Sequence, residues 1–456
     1  MHKSGVSALE AAERQIVEAL GSTEFRSLWR RMEQHWVSWE EFEGLTMPAG
    51  LAREQVWRIA NTIRSHGAKD MPFPPYLVED AGERLWYTST TKLQESLRRI
   101  SERSFRNSQL SCDLAKRAKS SAIARLMAPE MAAVLRQDGL CIDVERARKL
   151  AAHKPPPRTL EERVFLRFVE SYENLPERIA TRGLIELLCE TLWEDGVERA
   201  EPLRPCGTFN RSVFTSDYVL DLVCEMHRGS DRATEGLHPV LQGMQFEITL
   251  QNHRPLPALN ACVGFLLRAM YFRASNYPAL EYLAFCEAVQ RCREGTYDSG
   301  RFPRPILPDH DRIRSGAPGY DCTGDQEFIL SVCEIELDRL ERCMHSLVFH
   351  ESVFEQALST ARELNGRQRS LLLDMIVNPY EETSIKDYRK RFSVAYSTGH
   401  DDLADLADRG YLVRIDQKRA LTYLPGPRLA EVARKAIEGR NGNRSEELCS
   451  NGEVRP

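Results

Sequence analysis

The chain has 456 residues, enough for two or three domains, because single hydrophobic cores stop growing well below this length. Its 62 basic and 67 acidic residues leave a formal charge of −5, which gives no global reason to seek nucleic acid or a membrane surface, so such a contact must come from a local patch. The 12 cysteines never form C-x-x-C and have no clustered histidines, which argues against a zinc site or a disulfide framework and for a reducing cytoplasm.

The opening "MHKSGVSALEAAERQIVEAL" carries charges through its apolar positions, so it is expected to be neither signal peptide nor membrane span. Apolar residues at three and four spacings predict helices in "SALEAAERQIVEAL", "TKLQESLRRISERS", "SSAIARLMAPEMAAVLRQ", "EERVFLRFVESYENL" and "RIATRGLIELLCETLWE". The same spacing continues in "VLQGMQFEITLQ", "ACVGFLLRAMYFRA", "ALEYLAFCEAVQRC" and "EFILSVCEIELDRLERCMHSL". Strand-like alternation is confined to "GTFNRSVF" and the late pair "YLVRID" and "ALTYLP". Proline-rich seams at 154–158, 200–207 and 301–321 break the helices.

Four regions are therefore expected: 1–110, where Trp36, Trp39 and Phe42 anchor an N-terminal helical region; a helical core at 111–350; a compact unit at 351–438; and a polar tail at 439–456, expected to be disordered.

The compact unit reads helix, helix, short turn, helix, then two strands around "DQKR", and resembles a winged helix. That resemblance implies two alternatives, a DNA contact or a protein-interaction module such as a homodimer contact. For DNA stand Lys386, Arg389, Lys390 and Arg391, the helix start Tyr396, Ser397, Thr398 and His400, and Lys418 and Arg419 in the wing. Against it stand Asp401, Asp402, Asp405 and Asp408, expected to form an acidic face that repels phosphate. The protein-contact alternative is preferred.

Several stretches together resemble the Fic family, whose best-known members transfer AMP from ATP to a protein hydroxyl. They are "WVSWEEFEGLTMPAGLAREQVWRIANTIRS", "MPFP", "LWYTSTTKLQESLRRI", "AKSSAIARLM", "LHPVLQGMQFEITL" and the loop-and-helix segment "NHRPLPALNACVGFLLR", spread with the C-terminal unit over roughly residues 30–435. The resemblance implies a mainly α protein: a Fic-associated N-terminal region, a Fic-type helical core with small β elements, and a C-terminal winged helix.

The family signature is written HPFxxGNGR. Its histidine is a general base, an acid two residues after Phe holds Mg²⁺, and its glycines let backbone N–H groups reach phosphate at a helix N-terminus. Laid without gaps on "RPLPALNAC", residues 254–262, it matches Pro255 and Asn260, while Leu256 is a mild change from Phe. The base becomes Arg254, the metal acid Ala258, the glycines Leu259 and Ala261, and the arginine Cys262; a further arginine of many members is Phe265. A shifted register offers His253 as base but no metal acid, since no Asp or Glu lies between Glu247 and Glu281. A carboxylate would have to arrive from elsewhere in the fold.

Many Fic proteins also carry an inhibitory S-x-x-x-E-G helix whose glutamate pairs with the signature arginine. Here the motif opens at Ser120 and places Ala124 at the glutamate and Arg125 at the glycine. Both halves of that ion pair, Ala124 and Cys262, are gone together, which is consistent because a stranded buried carboxylate costs roughly 3–5 kcal/mol.

The expected function is accordingly a catalytically degenerate Fic-type binding or regulatory module, bacterial and cytoplasmic, with a protein partner and no metal or resident cofactor. Two alternatives stay open. One is a nucleotidyl or phosphate-group transferase that uses ATP and Mg²⁺ through Arg254, Asn260 and His253. The other is a DNA-binding regulator. In the first reading Arg254 and Asn260 could still form a residual anion pocket, with Asn260 capping the helix.

Overall fold

The computed structural model describes residues 14–71, 84–118, 120–176, 180–197, 216–228, 237–294, 319–377, 383–417 and 420–436. The expected strand "GTFNRSVF", the wing residues Lys418 and Arg419, most of the 301–321 seam and the 439–456 tail lie outside the described residues. The protein is mainly helical, as the spacing of its apolar residues predicts.

After a helical stretch at 14–20 come α1 (Thr23–Gln34), α2 (Trp39–Glu43) and α3 (Arg53–His66), followed by α4 (Thr91–Ser104), α5 (Gln109–Arg117), α6 (Ser121–Gln137) and α7 (Val144–His153). Next come α8 (Leu160–Glu173), α9 (Arg182–Leu192), α10 (Ser216–Arg228), α11 (Pro239–His253), α12 (Asn260–Ala274) and α13 (Phe285–Arg293). Then come α14 (Thr323–Ser359), α15 (Gly366–Val377), α16 (Ile385–Phe392) and α17 (Tyr396–Asp408), and the described chain ends on a helical stretch at 427–436.

Local chemistry sets many of the starts. The hydroxyls of Ser22, Ser38, Thr90, Thr159, Thr181 and Ser384 each accept the backbone N–H three residues on, satisfying a donor the helix leaves open. Pro239 opens α11, where its missing N–H costs nothing, and His238 caps it by accepting the Val240 N–H through Nδ1 at 3.2 Å.

The chain divides into two compact units. The first comprises 1–116, 127–147 and 156–340; the second comprises 117–126, 148–155 and 341–456. Helices α5, α6, α7 and α14 contribute residues to both.

In the first unit, Trp39, Phe42 and Trp57 pack ring against ring at centroid distances of 4.7–5.5 Å, within a small core that includes Phe25, Leu28, Met32 and Val56. Glu327 on α14, buried, accepts the Trp36 N–H at 2.8 Å and the Thr90 hydroxyl at 2.6 Å. A short sheet joins β1 (Lys69–Asp70), β2 (Leu85–Tyr87) and β3 (Tyr320–Asp321), with β2 antiparallel to β1 and parallel to β3. Arg64 ties α3 to this sheet through Asp321 at 2.7 Å.

The centre of the first unit is the antiparallel pair α11 and α12, buried on nearly every side. Their backbones come close because Gly264 faces α11: a Cβ there would stand 2.9 Å from Glu247 Cα.

In the second unit, α15, α16 and α17 pack with a three-stranded antiparallel sheet in the order β4 (Thr383–Ser384), β6 (Ala420–Pro425), β5 (Leu412–Gln417). Leu371, Leu372, Met375, Tyr388, Leu403, Leu406, Tyr411 and Tyr423 fill its core.

Candidate functional site

The loop from Arg254 to Leu259 connects α11 to α12, and two residues in the left-handed region bracket it: Arg254 at φ 49° and Leu259 at φ 56°. Such backbone is uncommon for non-glycine residues and costs on the order of 1–3 kcal/mol each, so the surroundings must hold it. Leu259 is buried, and the Arg254 N–H closes α11 onto Leu250 O.

Asn260 does not cap α12, contrary to the expectation. It is the first helical residue, and its side chain reaches back across the loop: Oδ1 accepts the Leu256 N–H and Nδ2 donates to Leu256 O, each at 2.9 Å. The amide therefore spends an acceptor and a donor on closing the turn.

The open N–H groups at the start of α12 are filled by a carboxylate from another element. Asp138, immediately after α6, accepts the Ala261 N–H through Oδ1 at 3.1 Å and the Cys262 N–H through Oδ2 at 2.9 Å. The positive end of a helix favours an anion there, and the chain supplies its own. Burial pushes the Asp138 carboxyl up, while these two N–H groups and the charge of Arg254 pull it back down.

Other residues at the site are also engaged. Arg254 is half-buried, donates from Nε to Gln251 O at 3.1 Å, and faces the charge of Asp138. Ala258 turns its carbonyl to the Cys189 thiol at 3.4 Å. Cys262 is fully buried, and burial with Asp138 beside it pushes its thiol well up, so it offers no thiolate. His253 is the buried last residue of α11.

Ala124 lies in the first turn of α6 and belongs to the second unit, where neighbouring Arg125 stands 3.0 Å from His153 Nε2. Among the described residues no group of three or more His, Cys, Asp or Glu is placed to hold a metal ion, and no helix is long and apolar enough to cross a membrane.

The second unit corrects the reading of α17. Asp402 is buried and faces inward, where it accepts the Tyr388 hydroxyl at 3.0 Å, Arg367 Nε at 2.9 Å and Asn365 Nδ2 at 2.7 Å. Asp405 is paired with Arg409 at 2.7 Å and accepts Gln368 Nε2 at 3.0 Å. Only Asp401 and Asp408 of the four acids are exposed, so the continuous acidic face does not exist.

Lys386, Arg389, Lys390, Tyr396 and Ser397 are exposed, and Thr398 is half-buried. The Arg389 guanidinium lies over the Tyr396 ring at 5.9 Å. Arg391, by contrast, is engaged with Asp374 and with Ser370 Oγ at 3.1 Å.

Sequence reasoning missed Asp138 as a site residue, although a signal existed. An acid at the C-terminal end of a helix opposes the dipole of that helix, so Asp138 implies a partner elsewhere. No protein-family model matches the chain, and no match was found among the curated proteins.

Proposed function

We propose that the chain is a Fic-like protein without AMP-transfer chemistry, acting as a binding or regulatory module for a protein partner. The observation that carries this reading is the Asp138 carboxylate on the Ala261 and Cys262 N–H groups. A phosphate approaching the start of α12 would have to displace a hydrogen-bonded carboxylate and meet its negative charge. The fixed roles of Asn260, Ala258 and Cys262 support the same reading, because none retains a free group for a base, a metal or a phosphate.

Calorimetric titration with ATP, with and without Mg²⁺, tests it on the whole protein. Wild type is expected to give no binding heat at millimolar nucleotide, and an Arg254→Ala variant is expected to behave identically. Transfer of labelled AMP to any protein by wild type, lost in Arg254→Ala, would establish the transferase alternative instead.

A second reading concerns the second unit, whose order of helices and strands resembles a winged helix. The inward turn of Asp402 and the exposed Lys386, Arg389, Lys390 and Tyr396 favour a contact with duplex DNA more than the sequence alone did. Loss of each phosphate contact should reduce the slope of log affinity against log salt by roughly one. A Lys386→Ala, Lys390→Ala double variant with unchanged affinity and slope would remove this reading and leave the protein-contact one.

A further inference from the structure

Away from the loop, Glu130, Glu247 and Arg268 form a charge cluster sealed from solvent, with side-chain exposures of 0%, 1% and 0%. They come from α6, α11 and α12 respectively. Arg268 Nη2 donates to Glu130 Oε1 at 3.1 Å and to Leu283 O at 3.1 Å, while Nη1 stands 2.6 Å from Glu247 Oε2. Glu130 also accepts the Cys286 and Glu287 N–H groups, at 3.0 and 2.9 Å, and so caps α13. Glu247 accepts Gln251 Nε2 at 3.0 Å.

The charges do not balance. A guanidinium is always cationic in a protein, and it faces two carboxyls. Among the described residues the other titratable groups near it are the buried thiols of Cys262 on α12, Cys286 on α13 and Cys333 on α14, with Glu334 and Glu336 facing Cys333 farther along α14. Burial pushes the Cys262 and Cys333 thiols up, so they supply no compensating cation and add no anion. With both carboxyls ionised the cluster would carry one unbalanced negative charge out of reach of water, which a protein avoids by neutralising the group.

We propose that the Glu130–Arg268–Glu247 cluster holds one proton at neutral pH, shared between its two carboxyls, and acts as a pH-sensitive latch where α6, α11, α12 and α13 meet. The proton belongs to the pair, because two carboxyls around one cation titrate together. Burial raises both carboxyls, Glu130 to about 8, against the pull of Arg268. A carboxyl raised in the folded state contributes stability that is complete below its ordinary value near 4.5 and is lost as pH rises through about 8. On the alkaline side the proton passes to solvent, the cluster becomes anionic, and the junction of these four helices loosens.

The test is infrared difference spectroscopy of the full-length protein between about pH 6 and about pH 9, paired with thermal midpoints over the same range. A protonated-carboxyl C=O band should be present at the acid end and titrate away around pH 8, with the thermal midpoint falling as pH rises toward about 8 and levelling off above it. In Glu130→Gln both changes should disappear, whereas Asp138→Asn and Asp374→Asn should keep them, which separates the cluster from the other raised carboxyls. Should Glu130→Gln not fold, Glu247→Gln carries the same expectation. Absence of the band in wild type at about pH 6, or a glutamine variant with the band and the slope of wild type, overturns the proposal.

Discussion

Glu130 and Asp138 stand roughly two helical turns apart along the chain, and each carboxyl fills the N-terminus of a different helix, α13 for Glu130 and α12 for Asp138. One segment thereby satisfies the open donors of two others. Replacing Asp138 by Ala is expected to cost about 1–2 kcal/mol, the usual loss for a helix cap. Asp138→Asn should cost less, because its amide oxygen still accepts one N–H. Urea denaturation of the three proteins gives the order directly.

Removing the cation of the buried cluster should be far more damaging. Arg268→Met leaves Glu130 and Glu247 facing each other without the guanidinium that contacts both. A loss of about 3–5 kcal/mol is expected, read from denaturation midpoints. A loss below about 1 kcal/mol would mean that the cluster contributes little.

The close approach of α11 and α12 rests on the absence of a side chain at Gly264. Gly264→Ala places a methyl 2.9 Å from Glu247 Cα, against backbone that cannot move aside as a flexible side chain would. The expected cost is about 1–3 kcal/mol, despite the better helix propensity of alanine. Gly183→Ala on α9, with open space around the added carbon, should instead be neutral or stabilising.

His227 gives an acid-side signature. It is buried, accepts the Ala180 N–H through Nδ1 at 3.1 Å and packs on Phe246 and Tyr271, and burial holds its imidazole down at about 4. A base lowered on folding stabilises the neutral side: its contribution is complete above its ordinary value near 6.5 and is lost as pH falls toward about 4. Histidine titration by NMR should show one ring that remains neutral well below the others.

Within the second unit, the four aspartates of α17 should separate cleanly. Asp402→Ala strands the Tyr388 hydroxyl and Arg367 and is expected to cost about 2–4 kcal/mol. Asp401→Ala and Asp408→Ala, at exposed positions, should stay within about 0.5 kcal/mol of wild type. Thermal unfolding of the three variants distinguishes them.

Much of the fold was legible because the periodicity of apolar residues is a local property. The "ACVGFLLRAMYFRA" spacing anticipates Asn260–Ala274, and the strand pair "YLVRID" and "ALTYLP" anticipates Leu412–Gln417 and Ala420–Pro425. Asp402 was misread although the same rule contains the answer: Gly399, Asp402, Leu403 and Leu406 share one helical face, and that face is the buried one. Asp138 was not readable as the partner of Ala261 and Cys262, because a contact between distant segments leaves no spacing in the chain. Its position at a helix end showed only that some partner was needed. Asn260 was assigned the common duty of its residue type at a helix start, whereas the loop required both its donor and its acceptor.

Leu259 keeps, against an energetic preference, a left-handed corner that glycine would adopt freely. Substitutions in this loop should consequently be epistatic. Leu259→Gly would relieve the corner but leave Asp138 seated on the α12 amides, and a new histidine, acid or arginine at 254, 258 or 262 would meet amides already occupied. Any route from this chain to a phosphate-handling loop must vacate residue 138 first, and screens that vary 254–262 alone should return only silent or destabilised proteins.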